Sequence, residues 1–481
     1  MNKLQLGRST CVAVALPIAL VLAVASPASA APIVEQTTRV STATGGTQSD
    51  GVSYDPEISA DGRYIAFQSN ATNLVAGDTN GNSDIFLTDT TTGTTTRVST
   101  ATGGAQATGD SSSPAISADG RYITYYSNAA DLVAGDTNGN PDIFRTDATT
   151  GTTIRVSTAT GGVEANADSY TPDISADGRY IVYQSNATNL VGGDTNGASD
   201  IFLTDTTTGF TARISTATGG AEADDDSYDA SISADGRYVT YDSAATDLVA
   251  GDTNGASDIF FTDTTTGTTT RISTATGGVQ GDDYSSYPAI TSNGRYVTYY
   301  SEATNLVASD TNGAGDVFLA DTTTGTTTRV STAPGGVQAN GLSYNPAISG
   351  DGRYVVFYSA ATNLVAGDTN SFQDIFVTDT SDGTTTRVNV ATDGTQANAS
   401  SVAAVISADG RFVSYYSAAT NLVAGDTNAE FDVFLARLGA AAVVPAVLPP
   451  AGTEVTGPLV LAGLLLAAGL MATRARRTRR A

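Results

Sequence analysis

The stretch "ADGRY", Ala60–Tyr64, decides the fold because it returns along the chain at one constant spacing. It recurs as ADGRY at 118, 176 and 234, as SNGRY at 292, as GDGRY at 350 and as ADGRF at 408. Each step is 58 residues, with no insertion between copies. A fixed period of this length indicates seven copies of one supersecondary unit.

The sequence of each unit predicts four short strands. In the first unit they are "PEIS" (56–59), "RYIAFQS" (63–69), "DIFLTD" (84–89) and "TTRVS" (95–99). Asp61-Gly62 is a hairpin signal between the first two, and the second strand is rich in aromatic and β-branched residues. Four antiparallel strands repeated seven times predict an all-β fold, a seven-bladed β-propeller.

The two ends of the repeat region predict how the ring closes. The seventh unit stops at "DVFLARL" (432–438) and lacks a fourth strand, whereas "TTRVSTATGG" at 37–46 matches 95–104. We therefore expect the N-terminal strand to complete the last blade, which leaves no unpaired edge at the seam.

The repeat resembles a known family. Residues 58–89, "ISADGRYIAFQS…DIFLTD", are similar to the TolB-type propeller repeats, which are relatives of the WD type. The resemblance extends over residues 37–438. It implies the propeller fold and a use either as a binding platform or as an accessory domain of a peptidase, so it specifies the fold more closely than the function.

Both termini are predicted to carry targeting signals. Residues 1–30 are predicted to be a signal peptide, with a basic start, an apolar run and "ASA" before the cleavage site. The propeller is expected at 31–438, followed by a linker (439–457) and an apolar anchor with a basic tail (458–481). The linker contains "LPPAG", which resembles a sortase sorting signal through Leu448, Pro449, Ala451 and Gly452. Sortase attachment to peptidoglycan and an uncut membrane anchor are the alternatives, and both predict an extracellular location at the cell surface.

Composition restricts the chemistry. The chain has no His, its single Cys is Cys11 in the signal peptide, and its formal net charge is −26. This charge argues against nucleic acid as a partner. The commonest acid–base and thiol mechanisms are absent. Nearly identical carboxylates recur in every unit, so the sequence predicts a protein that is not an enzyme. A hydrolase or lyase that uses the channel carboxyls Glu57 and Asp173 is the alternative.

A polar loop, "DTNGNSD" at 78–84 in the first unit, supplies candidate metal ligands. Calcium prefers about six to eight oxygen ligands, and the pattern resembles half of the calcium loop of integrin-type propellers. The predicted ligands are the first Asp, the Asn and the last Asp of five loops: Asp78, Asn80, Asp84; Asp136, Asn138, Asp142; Asp194, Asn196, Asp200; Asp252, Asn254, Asp258; and Asp310, Asn312, Asp316. The alternative interpretation is a polar turn without metal.

Chain reversal predicts that these loops share one face of the ring with the Gly-Gly connections between units. Four equivalent tyrosines, Tyr54, Tyr170, Tyr228 and Tyr344, lie in those connections. They either pack between blades or bind a ligand, a protein or a glycan. The overall hypothesis is a surface-tethered binding or adhesion module stabilised by calcium, with a structural spacer as the alternative.

Overall fold

The computed structural model describes residues 32–440, which form 30 strands and contain no helix. The predicted signal peptide, the LPPAG motif and the apolar anchor lie outside the described residues. Within the described range, no helix has the length and apolar character needed to cross a membrane.

Seven four-stranded antiparallel sheets form the blades. The inner strands are Ser53–Ile58, Ser111–Ile116, Ser169–Ile174, Ser227–Ile232, Ser285–Ile290, Ser343–Ile348 and Ser401–Ile406. The second strands are Tyr64–Ser69, Tyr122–Ser127, Tyr180–Ser185, Tyr238–Ser243, Tyr296–Ser301, Tyr354–Ser359 and Phe412–Ser417. The third strands are Asp84–Asp89, Asp142–Asp147, Asp200–Asp205, Asp258–Asp263, Asp316–Asp321, Asp374–Asp379 and Asp432–Ala440. The outer strands are Thr94–Arg97, Thr152–Arg155, Phe210–Arg213, Thr268–Arg271, Thr326–Arg329, Thr384–Arg387 and, for blade seven, Pro32–Arg39. Thr332–Ala333 and Val337–Gln338 form a small extra pair.

The N-terminal strand closes the ring as predicted. Pro32–Arg39 pairs antiparallel with Asp432–Ala440, with Thr38 opposite Leu435. The seam is packed as well as hydrogen-bonded, because Val40 and Leu435 belong to one buried cluster with Phe67 of blade one. The predicted seven-bladed propeller is therefore confirmed.

The cores lie between neighbouring blades. Leu87 and Val98 of blade one pack in one buried cluster with Ile123 and Tyr125 of blade two, and six similar clusters continue around the ring. Burial of one such side chain contributes on the order of 1.5–3 kcal/mol. The ring thus holds each blade through its two neighbours.

The "ADGRY" motif forms the joint between blades. Ser59 and the backbone N–H of Arg63 both donate to the Asp61 carboxylate, at 2.9 and 3.0 Å. The next glycine of the motif, Gly120, has φ +74°, and a Cβ there would lie 2.2 Å from the Tyr64 ring. The glycine therefore supplies both the turn conformation and the space for the preceding blade's aromatic ring.

Hydrogen bonds confirm the predicted division of the two faces. Gln106 in a Gly-Gly connection donates to Asp78 at 2.8 Å, and Asn80 donates to the Ala107 carbonyl at 2.7 Å. We call this side, with the Asp-Thr-Asn loops and the connections, the loop face. The opposite side, with the Asp-Gly turns and the Thr-rich turns, is the turn face.

Each inner strand contains a β-bulge that the sequence did not predict. In blade one the register shifts between Tyr54 and Glu57, and Asp55 has φ +47°. The six equivalent residues, Ser113, Thr171, Asp229, Tyr287, Asn345 and Ala403, also have positive φ. The inner strand consequently begins at Ser53 rather than at Pro56 as predicted. A non-glycine residue in this region is strained, and such strain gathers at functional sites.

Candidate binding site at the channel mouth

The seven inner strands surround a central cavity of about 480 Å³. Four acids, Asp55, Glu57, Asp173 and Asp229, are among the residues that line it. None of the described lining residues is Lys or Arg. The bulges bring their variable residues to this cavity, so the channel wall differs from blade to blade although the scaffold repeats.

Glu57 and Asp173 occupy equivalent positions but have different surroundings. Glu57 accepts no hydrogen bond from the described residues. Burial, and then the carboxylates of Asp173 and Asp55, raise the pKa of Glu57 well above its usual range. Asp173 instead accepts the backbone N–H groups of Ile174 at 2.7 Å and Ile232 at 2.9 Å. One carboxyl is therefore free to meet a ligand, whereas the other joins two blades.

A second carboxyl pair lies at the loop-face end of blade four. Asp242 is 3% exposed, accepts the Ser257 hydroxyl at 3.1 Å through Oδ2, and has no hydrogen-bond partner for Oδ1 among the described residues. Burial, and then the Asp229 carboxylate, raise the pKa of Asp242 to about 8. The hydroxyl of Ser286, in blade five, is also buried without a described partner. These unpaired polar atoms are suited to contact with a polar ligand.

Tyr344 is the centre of a tyrosine cluster that spans blades five and six. Its ring centroid lies 4.5 Å from that of Tyr300, 4.9 Å from Tyr287 and 5.6 Å from Tyr358. Tyr284 joins the cluster at 6.4 Å from Tyr300. Because Tyr287 lines the cavity, the cluster borders the channel mouth and offers aromatic surface with hydroxyl groups beside it.

The other three predicted tyrosines do not form one site with Tyr344. The Tyr54 hydroxyl accepts the Gln68 amide at 2.8 Å, and the Tyr170 hydroxyl donates to Asp168 at 2.9 Å. Tyr228 is 39% exposed and pairs in register with Asp242. Tyr54 and Tyr170 thus use their hydroxyls within the ring, whereas Tyr228 stands beside the second carboxyl pair.

The predicted metal loops bring their carboxylates together around an arginine. The buried Asp84 accepts the Ser99 hydroxyl at 2.6 Å and Arg97 Nη1 at 3.3 Å, and the same Nη1 lies 3.4 Å from Asp78. Equivalent pairs surround the outer-strand arginines Arg39, Arg155, Arg213, Arg271, Arg329 and Arg387. The structure therefore assigns these arginines to ion pairs with the loops.

The loop asparagines make backbone contacts. Asn80 Oδ1 accepts the N–H of Asn82 at 3.0 Å, and its amide donates to Ala107. Asn138, Asn196, Asn254 and Asn312 make the same two kinds of bond. These amides fix the shape of the loop, and calcium at the five loops stays a prediction.

Sequence reasoning missed Asp229, Asp242, Tyr287, Tyr300 and Tyr358. A usable signal was present, because each of them stands where the 58-residue repeat changes its residue type. Their proximity was hidden, since it depends on the bulge and on contacts between neighbouring blades.

No family model and no curated protein matches the sequence. Among solved structures, an oligogalacturonate lyase in complex with manganese matches with 14% identity, 85% coverage of this chain, 97% of that chain and a TM-score of 0.51. TolB from Acinetobacter baumannii matches with 18% identity, 63% coverage of this chain and a TM-score of 0.37, and the match spans 58% of TolB. An acylaminoacyl peptidase from Pyrococcus horikoshii matches with 12% identity, 76% coverage of this chain, 49% of that chain and a TM-score of 0.44.

At these identities, the likeness to the lyase concerns the fold alone. It also corrects one prediction. The expectation that the protein is not an enzyme is contradicted, because the oligogalacturonate lyase, an enzyme, has a similar propeller fold. That expectation rested on the lack of His, on a single Cys in the predicted signal peptide and on the recurrence of nearly identical carboxylates. None of these removes Glu57 and Asp173 from consideration, because their surroundings differ.

Proposed function

We propose that the protein is an exported, surface-tethered propeller that binds a ligand at the loop-face mouth of its channel. One observation carries the proposal: the residues that break the sevenfold repeat gather there. The strained bulge position alone holds Asp, Ser, Thr, Asp, Tyr, Asn and Ala in the seven blades. A structural spacer would have no need for such variation on an otherwise repeated scaffold.

The chemistry of the mouth favours a neutral or positively charged ligand, either a glycan or a protein segment. Acids without a basic residue attract cations and hydroxyl or amine donors. The tyrosine cluster adds flat surface for sugar rings or for a cation over an aromatic face. Oligogalacturonate, the substrate named for the similar lyase, carries carboxylates and would be repelled by this wall.

A binding measurement on the full-length chain tests the proposal. We would titrate glucosamine hexamer, its fully acetylated form and oligogalacturonate, using Tyr344→Ala as the variant and Phe210→Ala as the control. Phe210 is a 54% exposed aromatic residue on an outer strand. The expected result is binding of a glucosamine-type ligand that Tyr344→Ala weakens about tenfold and the control leaves unchanged. Binding that survives Tyr344→Ala and Asp242→Asn would place the ligand elsewhere.

Acid–base catalysis is a second candidate function, and the environment of Glu57 favours it. Burial raises the pKa of both Glu57 and Asp173, but only Asp173 accepts backbone N–H groups, which oppose that rise. Carboxyls in unequal surroundings are what a hydrolase or lyase uses as acid and base. Turnover of a bound glycan that Glu57→Gln abolishes while binding persists would support this candidate. Unchanged turnover in that variant would eliminate it.

A further inference from the structure

One residue of the Gly-Gly connection faces the loop carboxylates, and it differs between blades. It is Gln in five blades, and its amide donates to the first loop Asp, at 2.8 Å from Gln106 to Asp78. The same bond is made by Gln48, Gln280, Gln338 and Gln396. Blades two and three have Glu164 and Glu222 instead. A carboxylate has no hydrogen to donate, so this bond is lost there.

The exchange leaves three carboxylates around one guanidinium. In blade three, oxygens of Asp194, Asp200 and Glu222 all lie within 4.8 Å of one another. Arg213 Nη1 is 2.7 Å from Glu222 and 3.0 Å from Asp200. Blade two repeats the cluster with Asp136, Asp142, Glu164 and Arg155. One positive charge therefore faces three ionisable carboxyls, whereas in the other blades it faces two.

A second observation points to a missing partner. The Asp194 side chain is 3% exposed, and its Oδ1 has no hydrogen-bond partner among the described residues. Arg213 Nη1 stands 3.7 Å away, beyond hydrogen-bond distance. The absent donor is the one that Gln supplies in the five other blades. A buried, unpaired carboxylate oxygen is costly unless a ligand completes its contacts.

We propose that blades two and three each bind one calcium ion through these three carboxylates, and that the five blades with Gln do not. This restricts the calcium predicted from the sequence to two of its five loops, with a Glu in place of the Asn as the third ligand. Calcium–oxygen distances of about 2.3–2.6 Å allow two ligands on opposite sides of the ion to be about 5 Å apart. The carboxylate oxygens of each cluster lie within 4.8 Å of one another, so one ion can contact all three residues. Glu164 and Glu222 are 17% and 18% exposed, so water can complete the coordination. Dissociation constants of about 10⁻⁴ to 10⁻³ M are expected, as for other extracellular modules.

Calorimetric titration of the full-length chain with calcium chloride tests the proposal, in about 0.15 M sodium chloride to screen diffuse attraction to the acidic surface. The critical variant is Glu164→Gln with Glu222→Gln, which gives both blades the residue that the other five already have. It should fold like the parent and bind two fewer calcium ions. Its melting temperature should no longer rise with calcium, in contrast to the parent protein.

A gain-of-site variant provides the matched control. Gln106→Glu gives blade one the third carboxylate, so its calcium stoichiometry should increase by one. The proposal is overturned if the parent binds no calcium up to 10 times the upper expected dissociation constant, about 10⁻² M. It is equally overturned if the double Gln variant binds as many ions as the parent.

Discussion

The turn face and the channel mouth are built from the same seven sheets, but the residues of the turn face recur from blade to blade, whereas those of the channel mouth vary. On the turn face, Arg63 pairs with Asp89 at 2.8 Å and lies 4.8 Å over the Tyr64 ring. Five further blades repeat this arrangement, through Arg121, Arg179, Arg237, Arg295 and Arg353. At the channel mouth, in contrast, equivalent positions change residue type from blade to blade. Residues that recur in every blade therefore stabilise the ring, and residues that vary between blades are the candidates for ligand recognition.

The two regions also differ in how their polar groups are satisfied. On the turn face, backbone N–H groups cross from blade to blade, as from Ala60 to the Ala118 carbonyl at 3.0 Å. At the mouth, Glu57 accepts no hydrogen bond, and Asp242 Oδ1 and Ser286 Oγ are unpaired among the described residues. Folded proteins leave few buried polar groups unpaired, and those that remain call for a functional explanation.

The first prediction asks whether a repeated residue is structural even on the loop face. Asp84→Ala should destabilise the protein by about 3–5 kcal/mol, because it leaves Arg97 buried without its deeper carboxylate. The loss is measured by guanidinium unfolding of the full-length chain, followed by fluorescence of its 21 tyrosines. The control is Asn82→Ala in the same loop, which should change stability by less than about 0.5 kcal/mol. Three blades already have Ala there, at 198, 256 and 314. Equal effects of the two variants would remove the distinction between repeated and variable residues.

The second prediction concerns the joint between blades on the turn face. Gly120→Ala should cost about 2–4 kcal/mol, because its Cβ would meet the Tyr64 ring at 2.2 Å and its φ is +74°. Gly93→Ala has a similar φ of +67° but no atom within 4 Å of the added Cβ. It should cost only about 1 kcal/mol. The difference between the two unfolding midpoints isolates the contact between blades, and equal midpoints would contradict it.

The fold could be predicted from sequence because its causes are local and repeated seven times. The 58-residue step, the Asp-Gly turn and the split ends together allow only a closed ring, and the pairing of 32–39 with 432–440 bears this out. The ends of the inner strands were less predictable. Their bulge requires a positive φ at residues such as Thr171. The conformational preferences of these side chains do not predict a positive φ.

The candidate site was only partly predictable. Tyr344 and the channel acids Glu57 and Asp173 were identified from their positions in the repeat. Tyr287 and Asp242 were not, because their neighbours come from other strands or other blades. The role of Glu164 and Glu222 was hidden for a similar reason, since the Gly-Gly connection reaches back to the loop of the preceding blade 27 or 28 residues earlier.

The third prediction uses pH to test the channel mouth. A carboxyl whose pKa is higher in the folded than in the unfolded chain stabilises the fold at low pH and loses that effect as pH rises through the folded pKa. For Asp242 this window extends from about 4 to about 8. The Asp242→Asn variant mimics the protonated, uncharged carboxyl of Asp242 at every pH. It should match the parent near pH 4 and become more stable than the parent by about 1–3 kcal/mol above pH 8.

The measurement is a series of unfolding midpoints for both proteins between pH 4 and pH 9. Thr240→Val serves as a control without a titrating group, because Thr240 is buried on the same strand and donates to the Phe260 carbonyl. Its difference from the parent should stay constant with pH. A constant difference for Asp242→Asn as well would mean that Asp242 is already neutral or well solvated across the range.

The smallest expected effect tests whether the Asp-Gly turn needs a charge or only an oxygen. Blade five has Asn293 at this position, and its Oδ1 accepts Thr291 Oγ1 and the Arg295 N–H, both at 3.0 Å. Asp61→Asn should therefore change stability by less than about 0.5 kcal/mol. Asp61→Ala removes both bonds and should cost about 1 kcal/mol. If Asp61→Asn destabilised the protein as much as Asp61→Ala, the negative charge of Asp61 would itself stabilise the turn face. The recurrence of Asp at this position would then have an electrostatic rather than a conformational cause.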